Sequence, residues 1–218
     1  MRRYPLIISL FLLITASVHG EIITVPFTGI LTGFGSGAVY RGQTFTSLAA
    51  PSTANKLTVY VGPTADSGAN FRVLLTEVDT TTSFHPTKVL FESKTLNIPV
   101  LPVRRNPDIF IVDLGSIRLE ASREYAFILD HLVVANDADF VSMGTGTGPT
   151  YNGGFSFQFV NGPFLPTGTR QEHFALDSWF VDTSRDFAFT LNISPEPPPP
   201  PPRGTKAIPA INSLILLE

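Results

Sequence analysis

The sequence predicts an all-β domain, built as a sandwich or a barrel. Short segments rich in β-branched and aromatic residues recur along the chain, and clusters of Gly, Pro, Asn and Asp separate them. No long window shows the helical spacing of apolar residues, and only residues 116–123 have the composition for a single helical turn. The chain also lacks cysteine, so the fold must be held by packing without disulfides.

The predicted strands follow in chain order. Residues 21–27 form a β-branched run interrupted by Pro26, and the glycine-rich residues 32–42 predict a loop. In residues 71–78 the apolar Phe71, Val73 and Leu75 alternate with a second, more polar set of side chains, which predicts one mostly apolar face. Residues 108–114 are apolar on both sides, which predicts burial on both faces. The remaining predicted strands are residues 57–61, 88–92, 124–129, 140–143, 155–160 and 187–193.

The first 20 residues have the organisation of a secretory signal peptide. Arg2 and Arg3 precede an apolar run over residues 6–14, and residues 15–20 are small or polar. A membrane anchor is the alternative, but this run is much shorter than the ~20 residues that a spanning helix needs. We therefore expect residues 1–20 to be removed by cleavage between Gly20 and Glu21.

Composition excludes several functions. Loss of Arg2 and Arg3 with the signal peptide takes the formal charge from −3 to −5, and the remaining arginines are scattered. The chain therefore has no basic stripe for nucleic acid. Without cysteine it also has no thiol nucleophile, thiolate metal site or redox motif.

The C-terminal part has its own composition. We place the domain at residues 21–194, because from Pro195 the sequence reads PEPPPPPP, which is typical of a stiff polyproline spacer. The polyproline and polar linker covers residues 195–206, and residues 207–218 form an apolar tail too short to cross a membrane.

Residues 43–193 resemble the jelly-roll domains of bacterial exported proteins that carry C-terminal sorting tails. The resemblance implies a single jelly-roll-like β-sandwich in a protein secreted by, or displayed on, a Gram-negative bacterium. It is carried by the segments GQTFT (42–46), FRVLL (71–75), VLFES (89–93), LEASREYAF (119–127), YNGG (151–154), NG (161–162), Trp179 and DFAF (186–189).

The tail resembles a sorting signal of the IPTL-CTERM or PEP-CTERM kind. Residues 208–217 read IPAINSLILL, similar to the beginning of the IPTL type with departures at Ala210 and Ile211, and residues 195–197 spell PEP. The resemblance implies a partial sorting signal, truncated at Glu218. The alternative is an apolar end without a sorting role.

The search for catalytic motifs predicts a noncatalytic protein. His85, His131 and His173 do not have metal-binding spacings, and no Gly-x-Ser-x-Gly motif is present. The glycine clusters at residues 33–37 and 144–148 lack the features of phosphate loops. A glycoside hydrolase would need two facing carboxylates; the candidates are Glu92, Asp113, Glu120, Glu124 and Asp130. Asp113 is predicted to bond to backbone at a strand end or turn.

Two kinds of binding site are predicted. Asn136, Asp137 and Asp139 place three oxygen-bearing side chains in one short loop, which suggests structural calcium; an Asx-rich turn is the alternative. Trp179, Tyr151 and Asn161 lie in a long polar, glycine-rich stretch and are the candidate sugar-binding residues. The alternatives are that Trp179 belongs to the core and that Tyr151 pins a turn.

The sequence therefore leaves two main functional hypotheses. The first is a noncatalytic module that binds polysaccharide or extracellular matrix, with Trp179 and Tyr151 exposed on one surface. The second is a structural surface protein with a protein partner or no small ligand, in which both aromatics are buried and any exposed apolar patch is flat. A secreted hydrolase is a third hypothesis. In each, membrane contact is expected only through the signal or sorting segments, and no nucleic-acid partner is expected.

Overall fold

The protein is an all-β sandwich of two antiparallel sheets, as the sequence predicts. The computed structural model describes residues 20–28, 30–32, 38–63, 69–81, 84–98, 107–131, 141–146, 151–160, 169–175 and 179–196. Residues 1–19 of the predicted signal peptide, the loop with Asn136, Asp137 and Asp139, Asn161, and the tail from residue 197 lie outside these ranges.

The strands are numbered in chain order: β1 (Glu21–Val25), β2 (Ile30–Thr32), β3 (Ala38–Thr46), β4 (Ser52–Pro63), β5 (Ala69–Asp79), β6 (His85–Glu92), β7 (Leu96–Ile98), β8 (Asp108–Leu119), β9 (Glu124–Asp130), β10 (Val141–Thr145), β11 (Ser156–Val160), β12 (Trp179–Asp182) and β13 (Phe189–Pro195). One short helix, α1 (Arg170–Phe174), lies between β11 and β12. Within the described segments, no helix is long and apolar enough to cross a membrane.

The chain crosses repeatedly between the two sheets. Sheet A has the order β1-β13-β4-β10-β2, with β8 also paired to β4; sheet B has the order β12-β11-β3-β9-β5-β6, with β7 also paired to β5. From β3 to β11, successive strands alternate between the two sheets, except that β6 and β7 both follow β5 onto sheet B. This alternation places most strands that are consecutive in the sequence on opposite sheets of the sandwich.

The main core lies between the sheets. Alternate residues of β4 and β13 from sheet A meet alternate residues of β5 and β9, and Phe45 of β3, from sheet B. For example, the rings of Phe127 and Phe189 lie 5.0 Å apart between their centroids. The two-residue period of the strands produces this inner face.

A second apolar cluster covers the outer face of sheet B. Tyr40, Phe157, Phe159 and Trp179 pack there, and Phe174 of α1 covers them. Every residue of β9 after Glu124 is therefore buried, because both faces of this central strand are covered.

The structure corrects three local predictions. The strand at residues 108–114 is buried on one face only, because the outer face of sheet A is open there; Ile109 and Ile111 are 61% and 64% exposed. Residues 38–42 are strand and not loop, and pair with β9 and β11. Gly42 is needed within β3 since a Cβ there would overlap the Phe127 carbonyl oxygen. Residues 116–119 belong to β8, so no helical turn forms there; Ser116 instead has a φ of 69°.

The end of the domain is tied into sheet A. Pro195 pairs with Ser52, and the Glu196 amide donates to the Pro51 carbonyl at 2.9 Å. Strand β13 therefore runs through the first residue of the segment that the sequence assigns to the linker. At the other end, β1 begins at Glu21, paired with Ile193.

Candidate functional site

Trp179 lies inside the outer-face cluster of sheet B. Its ring stacks on Tyr40 at 5.8 Å between centroids and 27° between planes, and it packs against Phe159 at 5.1 Å. Only 9% of the residue is exposed, and its indole Nε1 has no hydrogen-bond partner within the described structure. In this conformation the Trp179 ring faces other aromatic rings and offers no stacking surface to a ligand.

Tyr151 is half-buried and holds a turn. Its hydroxyl accepts a hydrogen bond from the Thr46 amide at 3.2 Å, and its own amide donates to Asp186 Oδ2 at 2.9 Å. The Gln43 side chain donates to the other oxygen of Asp186 at 2.9 Å and accepts from the Phe187 amide at 3.0 Å. This buried network fixes the Tyr151 turn against the sandwich.

The calcium prediction and Asn161 fall on residues that the structure leaves undescribed. Among the residues that it does describe, no group of three His, Cys, Asp or Glu side chains could hold a metal ion. The described part therefore adds no candidate metal ligand.

A polar groove of about 610 Å³ lies at one end of the outer face of sheet B. Its floor takes one residue from each of four neighbouring strands: Thr46 of β3, Glu124 of β9, Val78 of β5 and Thr87 of β6. Thr46 and Glu124 lie directly opposite each other in the register. The turns that leave β5 and enter β9 form the rim, with residues Asp79, Thr80, Thr81, Ser122 and Arg123.

The groove forms because the outer-face cluster does not extend to the ends of these four strands. Val78 packs against that cluster and also lines the groove, so the apolar face becomes polar at this position. Thr46 connects the groove with the Tyr151 turn, since its hydroxyl donates to the Gly153 carbonyl at 2.9 Å. Of the sugar-site residues predicted from sequence, Tyr151 is therefore adjacent to the groove, whereas Trp179 belongs to the cluster.

Hydrogen bonds favour the ionised form of Asp79 in the groove. Asp79 Oδ1 accepts hydrogen bonds from the Thr81 amide at 2.8 Å and from the Thr81 hydroxyl at 2.7 Å, and these bonds hold the pKa of Asp79 below its ordinary value. The Arg123 guanidinium donates to Glu77 at 2.9 Å. Asp79 is thus a hydrogen-bond acceptor, and the positive charge of Arg123 is directed towards Glu77.

An ion-pair network lies elsewhere on sheet B. Arg170 of α1 donates to Glu92 at 2.8 Å and to the buried carboxylate of Asp130 at 2.5 Å, and Arg72 donates to Glu92 at 2.5 Å. The bonds from Arg170, and then those from Arg72, lower the pKa of Glu92 to about 2. This network attaches α1 to the sheet, so Glu92 and Asp130, two carboxylates considered from sequence, serve as ion-pair partners.

Other buried groups are held in one protonation state. Burial, with the nearby positive charge of Arg41, lowers the pKa of His131 to about 3, so that this histidine is neutral. Burial also raises the pKa of Tyr40, whose hydroxyl lies 3.3 Å from His173 Nδ1. Asp113 is exposed, and its Oδ1 accepts from the Gly115 amide at 3.0 Å, as its sequence position predicts.

Sequence reasoning did not identify the groove as a site. The available signal was the polar run DTTT at residues 79–82 with Thr87 just beyond it, between two strands. A run of threonines is common in turns and at strand ends, so it indicates an exposed segment. It does not indicate which distant residues line the same groove. Glu124, a candidate carboxylate, is the one sequence-named acid that lines the groove.

The fold and the groove define the protein as an all-β sandwich with a hydroxyl-lined groove on the outer face of one sheet. Comparison of the chain with protein-family models, with curated proteins and with solved structures gave no match.

Proposed function

We propose that this chain is an exported, noncatalytic surface module that binds neutral polysaccharide in the groove on sheet B. The observation that supports this proposal is the lining of the groove. Threonine and serine hydroxyls and two carboxylates surround a volume of about 610 Å³. Binding sites for small molecules typically have about 300–1,000 Å³ and a few placed polar groups. Residues 1–20 support export.

The side chains suit the hydroxyl groups of a sugar. The hydroxyls of Thr80 and Thr87 each offer a donor and an acceptor. Thr46, whose hydroxyl proton goes to Gly153, offers an acceptor, and Asp79 also offers acceptors only. Val78 supplies an apolar surface at the floor for the C–H face of a sugar ring. Because Asp79 and Glu124 add negative charge while Arg123 is paired with Glu77, a neutral glycan suits the groove better than an anionic one.

One carboxylate of the groove, Asp79, is unsuited to be the proton donor of a hydrolase. A glycosidase needs one carboxylic acid with a raised pKa as proton donor. Asp79 accepts two hydrogen bonds that favour its ionised form, so it is unsuited to that role. Asp79 instead suits an acceptor of hydrogen bonds from sugar hydroxyls, in keeping with the binding function that we propose.

The test is affinity gel electrophoresis of the purified chain in gels that contain β-glucan, xylan, galactomannan or alginate. We expect retardation by at least one of the three neutral polysaccharides and none by alginate. Thr87→Ala and Glu124→Gln should each weaken that retardation at least about threefold. Glu120→Gln, an exposed carboxylate that does not line the groove, is the matched control and should bind as the parent chain does.

The proposal fails if none of the neutral glycans retards the chain, or if the groove variants bind as tightly as the control. An unchanged far-UV circular dichroism spectrum in each variant separates lost binding from lost folding.

A structural surface protein is the second candidate, and two observations favour it. Trp179 is buried, and the exposed side chains of Ile22, Ile109 and Ile111 lie on sheet A and not in a cleft. This second function predicts that the chain binds no glycan in the same gels and binds protein through sheet A.

A further inference from the structure

The turn at residues 151–154 carries an exposed asparagine, Asn152, which is followed directly by Gly153. Asparagine and glycine are both favoured in turns, because they tolerate backbone conformations that other residues avoid. The other asparagines of the described segments all lie in strands: Asn55 in β4, Asn70 in β5, Asn97 in β7 and Asn192 in β13. Among the described residues, Asn152 is therefore the asparagine whose backbone is not part of a sheet.

The packing of this turn requires glycine after Asn152. A Cβ on Gly153 would overlap the Tyr151 hydroxyl, and a Cβ on Gly154 would overlap the Thr44 carbonyl oxygen. Glycine is the residue that permits such close approach. The position after Asn152 is thus kept free of a side chain by the fold itself.

The hydrogen bonds that hold the turn leave two of its groups unused. The Thr46 amide donates to the Tyr151 hydroxyl at 3.2 Å, and the Thr46 hydroxyl donates to the Gly153 carbonyl at 2.9 Å. Within the described structure, neither the Asn152 carboxamide nor the Gly153 amide takes part in a hydrogen bond. The carboxamide carbon of Asn152 and the backbone nitrogen that follows it are therefore both free to react with each other.

The asparagines in strands do not have this combination. Asn55 donates to Ser194 Oγ at 2.9 Å, and Asn97 donates to Asn70 Oδ1 at 2.8 Å. A side chain on the next residue hinders the approach of its nitrogen to the carboxamide, and a paired strand holds the backbone extended. The residues that follow the four strand asparagines all have large side chains: Lys56, Phe71, Ile98 and Ile193.

We propose that Asn152 is a site of spontaneous deamidation and isoaspartate formation. The Gly153 backbone nitrogen loses its proton to solvent and attacks Cγ of Asn152. The Cγ–Nδ2 bond breaks and ammonia leaves, so that a five-membered succinimide ring forms. Water then opens the ring: attack at the Cγ carbonyl gives aspartate at position 152, and attack at the main-chain carbonyl gives isoaspartate. The net reaction consumes one water and releases one ammonia, and it needs no other reactant.

The isoaspartate product changes the tight turn beside the groove. It lengthens the main chain by one carbon atom just before Gly153, whose carbonyl accepts the hydrogen bond from the groove residue Thr46. Both products also add one negative charge at an exposed position. We therefore expect the aged chain to elute as an acidic variant on ion exchange, with faster hydrogen exchange of the Thr46 amide. The reaction is independent of glycan binding.

The test is ageing of the purified chain at 37 °C and pH 8, with a parallel sample at pH 5, followed by peptide mapping. Tandem mass spectrometry locates the mass increase of about 1 Da, and labelling by protein isoaspartate methyltransferase detects isoaspartate. We expect Asn152 to convert at least about tenfold faster than Asn70, Asn97 and Asn192 of the same molecules. Conversion should be faster at pH 8 than at pH 5, because the attacking nitrogen must lose its proton. Fragment ions separate Asn152 from Asn161, which is also followed by glycine.

Asn152→Gln is the matched variant, because its longer side chain would have to close a larger ring. It should accumulate modified residues within 151–154 at least about tenfold more slowly than the parent chain and should keep the parent circular dichroism spectrum, since position 152 is exposed. Samples are taken only while that spectrum is unchanged, so the rates refer to the folded chain. Conversion of Asn152 no faster than that of Asn97 overturns the proposal, as does an Asn152→Gln chain that is modified in this turn at the parent rate.

Discussion

Glu92 offers a stringent test of how α1 is held on sheet B. The change is Glu92→Gln, which keeps the shape of the side chain and removes its charge. In the parent chain, the Glu92 carboxylate accepts hydrogen bonds from Arg170 at 2.8 Å and from Arg72 at 2.5 Å. Arg170 also donates to Asp130. The substitution weakens both bonds to Glu92 and with them the attachment of α1.

The magnitude follows from the pKa of Glu92, which falls from 4.5 to about 2, chiefly through its bonds with Arg170. At about 1.4 kcal/mol per pKa unit, the full effect would be roughly 3 kcal/mol. One third of the Glu92 side chain is exposed, so solvent screening reduces the expected loss to about 1 kcal/mol.

The sign of the pH dependence is fixed. The folded-state pKa of Glu92 is depressed, so its stabilisation is fully present above about pH 4.5 and is lost as the pH falls towards 2. Glu92→Gln should therefore lower the free energy of unfolding by about 1 kcal/mol at pH 7 and by progressively less below pH 4.5.

The assay is urea unfolding followed by the fluorescence of Trp179, the only tryptophan in the chain, at pH 7, 4 and 3. Glu120→Gln is the control, because its contact with Arg118 is exposed and 3.8 Å long, and it should change stability by less than about 0.5 kcal/mol at every pH. A difference between parent and Glu92→Gln that stays constant from pH 7 to pH 3 would refute the assignment of the stabilisation to the charge of Glu92.

Three further predictions concern packing and capping. Trp179→Ala should lower the free energy of unfolding by about 3–5 kcal/mol, whereas Phe180→Ala, at the adjacent position with 58% exposure, should lower it by less than about 1 kcal/mol; urea unfolding followed by circular dichroism measures both. In the same assay, Gly42→Ala should lower the free energy of unfolding by roughly 3 kcal/mol or more, because its Cβ would overlap a carbonyl oxygen of β9. Gly115→Ala should lower it by about 1 kcal/mol, because of its φ of 66° alone. Thr169→Ala removes the capping box of α1 and should cost about 1 kcal/mol, with faster amide hydrogen exchange confined to that helix.

Each of these predictions has an outcome that contradicts it. Equal losses in Trp179→Ala and Phe180→Ala would mean that the outer-face cluster does not contribute a packed core. A Gly42→Ala chain as stable as Gly115→Ala would contradict the close approach of β3 and β9. Unchanged hydrogen exchange of α1 in Thr169→Ala would show that its cap does not hold the helix.

The strands were predictable where their pattern is local. Residues 71–78 alternate, and β5 buries Phe71, Val73 and Leu75 in the core between the sheets. The alternation of side chains in a strand is a property of the backbone, so neighbouring residues alone disclose it. The short helix was missed because five residues give no readable period, although Thr169 and Glu172 have the spacing of a capping box.

The faces of the strands were not predictable in the same way. The apolar composition of β8 suggested burial on both faces, and the structure leaves Ile109 and Ile111 exposed, whereas the equally apolar β9 is covered on both. The difference is what covers each sheet: the outer-face cluster lies over β9 on sheet B, whereas the outer face of sheet A is open at β8. Which elements cover a sheet depends on contacts between distant residues.

By itself, the sequence determined that the chain is all-β, which segments form most of its strands and that no cysteine chemistry takes part, because these follow from local pattern and composition. Only the tertiary structure decided that Trp179 is enclosed by other rings, that Glu92 and Asp130 bind Arg170, and that Thr46, Thr87 and Glu124 line one groove. These relations join residues that are 40 or more positions apart in several cases, as Arg170 and Asp130 are. The pairing order of the strands brings such residues together, and that order is set by the packing of the whole domain rather than by any one segment.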